Sequence, residues 1–229
     1  MRMKSEQFIK PLGAVLLSAL IVACSYNTYP SAAYDRSLIT SEPCAPPCWY
    51  GIQPGDTQES AVNRLRELPF VDGATIEEQN GEVSWDDVIP GKSGGGTLTF
   101  RQGELATISY QLQYPLSLME LVDIFGEPHG FDVFTSRGTR GIETILYIYW
   151  PSQGLVATVP VDIEPSEMER TAPIRPDSIV EVVAYYENQA DIEAVFQELY
   201  ADYPLEETMD NYYRWNGYVP LSDRMLYLQ

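Results

Sequence analysis

His129 is the one histidine in 229 residues. Nucleophilic catalysis of the Ser-His-Asp or Cys-His kind would have to be built on that single ring. The ring directly follows Pro128, where an exposed or capping histidine is the ordinary occupant. No G-x-S-x-G, phosphate-cradling glycine loop or H-E-x-x-H is present, and Gly94-Gly95-Gly96 lacks the Lys-Ser/Thr that would make it a phosphate loop. A D-x-D-x-D-G spacing for calcium is missing too, so neither a metal nor a cofactor is expected. Cations are as scarce: 14 Lys and Arg stand against 33 Asp and Glu, a net charge of −19. Such a chain repels phosphate backbones, because nucleic-acid binding is driven by counterions that basic side chains release. Nucleic acid is therefore excluded as a partner. The carboxylates are spread out, not gathered in a block, so disorder of the body does not follow. Long apolar runs are absent but for Leu12 to Cys24, about a dozen residues, where a membrane-spanning helix takes roughly 20.

What is present begins with that run. Arg2, Lys4 and Lys10 precede it and it closes on Ile21-Val22-Ala23-Cys24, the layout of a signal peptide. Its end resembles the lipobox of bacterial lipoproteins, with Ile21 where leucine is commonest. That resemblance implies a diacylated Cys24 as the first residue of the mature chain, a membrane held through this N-terminal lipid, and an extracytoplasmic location in a bacterial cell envelope. Two acyl chains hold durably where one does not, since each buried CH₂ contributes about 0.8 kcal/mol. The chain then divides into a signal peptide at 1–23, a tether at 24–45 rich in Ser, Thr, Tyr and Pro, and two α+β repeats at 46–113 and 114–229. Tyrosines in the tether leave open a segment that docks on the body.

With Cys24 assigned to lipid, Cys44 and Cys48 remain as an even pair in an oxidising compartment, and a disulfide across Ala45-Pro46-Pro47 is expected. A redox pair would have two residues between its cysteines, not three, and a zinc site would need more ligands than His129 can add.

The fold class expected is α+β, with antiparallel sheets and helices packed on one face. Asp56 with Glu59 predicts a capping box for a helix whose stripe is Ala61, Val62, Leu65 and Leu68. Short strands follow at 74–78 and 82–85, then a hairpin at 97–100 and 105–110 with Gly103 in its turn. A second round opens after Tyr114-Pro115. Ser117 with Glu120 caps a helix that stops at Gly126 and Pro128, and strands follow at 131–134, 144–150 and 155–159. Two rounds in one order suggest degenerate helix-plus-meander repeats. A strand at 179–186, a helix at 191–203 striped by Ile192, Val195, Phe196 and Leu199, and an aromatic tail ending in Met225-Leu226-Tyr227-Leu228 complete the chain.

Gly51-Ile52-Gln53-Pro54-Gly55-Asp56-Thr57 before one helix and Phe125-Gly126-Glu127-Pro128 after the other resemble the small α+β modules of the outer-membrane assembly lipoprotein BamE and of β-lactamase-inhibitor-like proteins. The first helix lacks the Gly-x-Pro stop and the second lacks the opening glycine. The resemblance implies a non-enzymatic binding or assembly role with an envelope protein or glycan as partner, and it transfers no residue. Cys44-Ala45-Pro46-Pro47-Cys48-Trp49 with Gly51-Ile52-Gln53-Pro54-Gly55 also looks like a motif of uncharacterised bacterial lipoproteins.

Candidate binding residues are Trp49 and the tail aromatics Tyr212, Tyr213, Trp215 and Tyr218, which suit stacking on a sugar or peptide. Cross-strand pairing or cover for a sheet edge is the commoner use of such rings. The alternative to a binding module is an acidic envelope enzyme acting on carbohydrate through paired carboxylates. Pairs such as Asp86-Asp87 and Glu206-Glu207 are the candidates, against a default of solvated acidic surface.

Overall fold

The computed structural model describes residues 37–87, 94–138, 141–161, 172–189, 191–201, 203–218 and 220–221. Cys24, the leader and the tail at 225–228 lie outside them.

Period-2 alternation builds most of the molecule. Strands β1 (Glu77–Gln79), β2 (Glu82–Asp86), β3 (Gly95–Arg101) and β4 (Glu104–Ser117) form an antiparallel meander. Strands β5 (Gly130–Gly138), β6 (Gly141–Trp150) and β7 (Leu155–Val161) form another, and β9 (Ile179–Tyr185) lies beside β7. The two halves join where β4 pairs with β9, giving one nine-stranded antiparallel sheet in the order β1-β2-β3-β4-β9-β7-β6-β5-β10, with β10 (Tyr212–Arg214) on the outer edge of β5. A separate pair joins β8 (Ala172–Pro173) to β11 (Pro220–Leu221). Each half opens with a helix followed by antiparallel strands, four sheet strands in the first half and five, counting β10, in the second. At the β3–β4 turn Gln102 and Gly103 both take positive φ, 54° and 89°, the geometry a two-residue hairpin needs to match strand twist.

Strand β4 runs through the position at which the sequence divides the body, 113/114. Pro115 has no N–H to give a ladder, and the chain accommodates it in an irregularity between Gln111 and Leu116, after which pairing with β9 resumes.

Helices cover both faces of the sheet, not one. On the first face α1 (Ser37–Thr40), α2 (Gln58–Glu67) and α3 (Leu118–Phe125) bury Leu38, Ala61, Val62, Leu65, Leu118 and Leu121 against Val83, Leu98, Ile108, Leu146, Ile148, Leu155 and Ala157. On the second face α4 (Ile192–Leu199) and α5 (Leu205–Met209) cover Tyr149, Val156 and Tyr186 with Ile192, Val195 and Phe196. The cause is legible in β6 and β7, whose Tyr149 and Val156 alternate with first-face Ile148 and Leu155. Large side chains on both faces need cover on both.

The caps account for the helix starts. Ser117 and Glu120 form the expected capping box on α3, and Gly126 at φ 78° closes it. On α2 the cap is Thr57, whose hydroxyl accepts from the Ser60 N–H, one residue later than expected. Asp56 is engaged elsewhere: it accepts from the Gln53 N–H and pairs with Arg64 at 2.8 Å.

Cys44 and Cys48 are disulfide-bonded, with Cα atoms 5.7 Å apart. The stretch read as a tether is docked from Ser37 onward, where Ser37 and Leu38 are buried. Among the described residues no helix is long and apolar enough to cross a membrane.

Candidate binding face

The residues nominated for binding are not brought together. Trp49 is fully buried. Its N–H and C=O bond reciprocally with those of Ile52, and its ring packs on Trp85 and Tyr110. It presents nothing to an external partner. Tyr213 stacks on Phe131, Trp215 meets Phe131 edge-on, and Tyr218 meets Trp215 edge-on, so these three cover the first-face core beside the sheet edge. Tyr212 points to the second face, where it packs on Phe196 and Tyr149 and its hydroxyl contacts His129 Nδ1. His129, the chain's one imidazole, is exposed and engaged in that contact.

Nor do the paired carboxylates share a site. Asp86 is exposed on the second face while Asp87 is buried and accepts from the Tyr110 hydroxyl at 2.9 Å. Glu206 and Glu207 are exposed in the first turn of α5. Among the described residues no three His, Cys, Asp or Glu side chains gather to hold a metal ion.

What the strands do assemble is an open expanse on the second face. α4 and α5 cover Tyr149, Val156, Ala184 and Tyr186 and pack against Tyr147 and Tyr212. Arg101 of β3 fixes one end of this cover by donating to the carbonyls of Glu198 and Leu199 at the C-terminus of α4, where a cation also suits the helix dipole. Glu198, half-buried beside it, is pushed up from the usual carboxylate range by burial.

Along the margin of the cover, register aligns a cross-strand row that includes Gln111, Val182, Thr158, Tyr147, Asp132 and Tyr212, of which Tyr147 and Tyr212 pack against the cluster under α4 and α5. Asp86 and Gly95 pair at its other end. A shallow trough of about 310 Å³ lies there, lined in part by Asp86, Gly95, Thr97, Ser109, Gln111 and Val182. Gly95 is required: its φ is +155°, and a Cβ would sit 2.0 Å from the Trp85 carbonyl oxygen. At the opposite end Phe134 is 53% exposed and lies across from Ile145, which pairs in turn with Pro160.

Asp132 is the electrostatic feature of this expanse. It is half-buried, and its Oδ1 is shielded from solvent and has no hydrogen-bond partner. Burial pushes its carboxyl up to about 6, opposed by the Val133 N–H. Around it stand Tyr147 and Tyr149 of β6 and Tyr200 after α4, all pushed up, first by burial and then in part by the Asp132 charge. The Tyr149 and Tyr200 hydroxyls are 3.3 Å apart. Tyr212 is held up to about 12 by burial, against the pull of Arg214. The sequence signal for this face is the run of alternate residues between the core positions of β3, β4 and β6, a pattern that identifies a second face but not whether it is covered.

No protein-family model, curated protein or solved structure matches the chain.

Proposed function

We propose that the protein is a lipid-anchored extracytoplasmic binding or assembly module, a non-catalytic component of a bacterial envelope, whose partner docks on the uncovered part of the second sheet face. The observation that carries this reading is Phe134, an aromatic side chain more than half exposed at the end of a broad face of hydroxyl, amide and aromatic side chains. Register sets Phe134 beside Ile145 and Pro160, and a contiguous apolar patch rimmed by polar groups marks a site of interaction. The lipobox-like end of the leader supplies the anchor, at Cys24. The helix-then-meander order, present twice, supports the kinship with BamE and β-lactamase-inhibitor-like modules and the reading of the two halves as degenerate repeats.

Photo-crosslinking tests it. Benzoyl-phenylalanine placed at Thr97 or Phe134 in living cells is expected to give a discrete adduct identifiable by mass spectrometry, and the same group at Asn63, exposed on α2, is not. Equal labelling from Asn63, or none from the face, would remove the reading.

A further inference from the structure

We infer that the partner meets this face with a cationic surface, one carrying lysine or arginine side chains; the inference rests on the binding reading above and names the chemistry of the same site. Register and alternation place Glu77, Glu82 and Asp86 on the second face at the β1–β2 edge, and Asp132 and Glu143 on it at the β5–β6 end. The two acidic ends are six strand spacings apart between β2 and β5, roughly 29 Å. Among the described side chains, two cations share the face. Arg101 is occupied by the carbonyls that end α4, and Arg214 stands on the outermost strand, where it acts on Tyr212.

The row between the acidic ends is neutral, Glu104 lying at the far end of β4 opposite Arg101. Thr97, Ser109, Gln111 and Thr158 supply hydroxyl and amide groups there, able to donate or accept. Uncompensated carboxylates framing a neutral centre are complementary to positive charge, and such complementarity steers encounter and sets which partner fits.

The Asp132 end shows the point in detail. The half-buried Asp132 carboxyl takes the Val133 N–H, and no cation figures among the groups that perturb it. Its Oδ1 is shielded from any partner, but a guanidinium or ammonium set beside the carboxyl would supply the opposite charge that the fold leaves out. Phe134 and Tyr147 stand beside it with ring surface for the methylene stem of a lysine or arginine and for the cation itself. A neutral or acidic partner would leave these carboxylates desolvated and unpaired, at a cost.

The probe is a short peptide of alternating lysine and alanine, with alternating glutamate and alanine as its counterpart, titrated into the isotopically labelled full chain carrying Cys24→Ala. Expected are amide shifts concentrated at Thr97, Ser109, Phe134 and Tyr147, seen with the cationic peptide alone. Neutralising Glu82→Gln, Asp86→Asn, Asp132→Asn and Glu143→Gln together is expected to weaken binding at least about tenfold, while the same charge change at Glu59, Glu67, Asp123 and Glu127, on α2, on α3 and just after α3, alters it less than about twofold. Equal weakening in the two variants, shifts centred on α2 and α3, or no binding of the cationic peptide overturns the inference. The crosslinking above separates the two claims. An adduct from Thr97 or Phe134 that persists undiminished in the four-site face variant leaves the binding face standing and removes the cationic partner; no adduct from the face removes both.

Discussion

The ring of Trp49 lies against that of Trp85, centroids 5.4 Å apart, which ties the segment after the disulfide to the centre of β2. Trp49 reaches that position because Cys44–Cys48 closes the loop before it and the reciprocal Trp49–Ile52 bonds hold the turn after it. Replacing both cysteines, Cys44→Ala with Cys48→Ala, is expected to cost about 2 kcal/mol by the loop-entropy relation, read as a lower urea midpoint at unchanged m-value. A change below a few tenths of a kcal/mol would show that the aromatic cluster positions the segment without the bridge.

Tyr110 carries the polar counterpart of that cluster. Its hydroxyl donates to Asp87 Oδ2 from a site 1% exposed. Tyr110→Phe keeps the ring packing and removes one donor from a buried carboxylate. The expected loss is about 1–3 kcal/mol in equilibrium unfolding, larger than for an exposed tyrosine such as Tyr203→Phe, expected near zero.

Asp132 makes stability depend on pH in a particular window. Its folded carboxyl, at about 6, lies above the 3.8 of an unperturbed aspartate, so the folded state holds the proton more tightly than the unfolded chain does. The stabilisation is complete below about 4 and is lost as pH rises through about 6. Asp132→Asn, a mimic of the neutral form, is expected to be more stable than the parent at pH 8 by an amount on the order of 2–3 kcal/mol, because each tenfold difference in proton affinity between the folded and unfolded chain is worth about 1.4 kcal/mol. The difference is expected to vanish near pH 4. Chemical denaturation of both proteins across that range checks it; a constant difference would sink it.

Cys24→Ala is expected to move the protein from the membrane fraction to the soluble one, because a lost pair of acyl chains removes the durable anchor. Fractionation with mass spectrometry of the mature N-terminus is the measurement. Retention at the membrane would mean that something other than lipid holds the protein there.

Elements with a local chemical signature were legible in the sequence. The Ser117–Glu120 box, the Gly103 turn and the stripe of Ile192, Val195 and Phe196 all stand where their chemistry predicts. Competing local choices were harder: Asp56 and Thr57 are both good caps, and only the three-dimensional position of Arg64 draws the aspartate away and leaves the threonine to the helix. Asn80-Gly81, with φ of 53° and 81°, is a strong hairpin signal that joins β1 to β2, and its dipeptide was there to be read. Pro115 looked like a boundary because proline ends most ladders, yet an irregularity absorbs it. Which face α4 covers, and so which part of the sheet stays open, depends on pairings between strands distant in the chain and has no local signature. The same holds for Asp132, whose environment is made by residues from β6, β10 and the end of α4.

The joint between β4 and β9 also sets an order of events. A chain that emerges N-terminus first completes its longest strand early and then exposes one backbone edge of it until Ile179–Tyr185 arrives to pair. An unpaired edge of that length invites association with other chains. Any truncation ahead of Ile179 thus leaves a half-sheet prone to aggregate, and a full chain needs the last strand of its second half before the first half is safe from its neighbours.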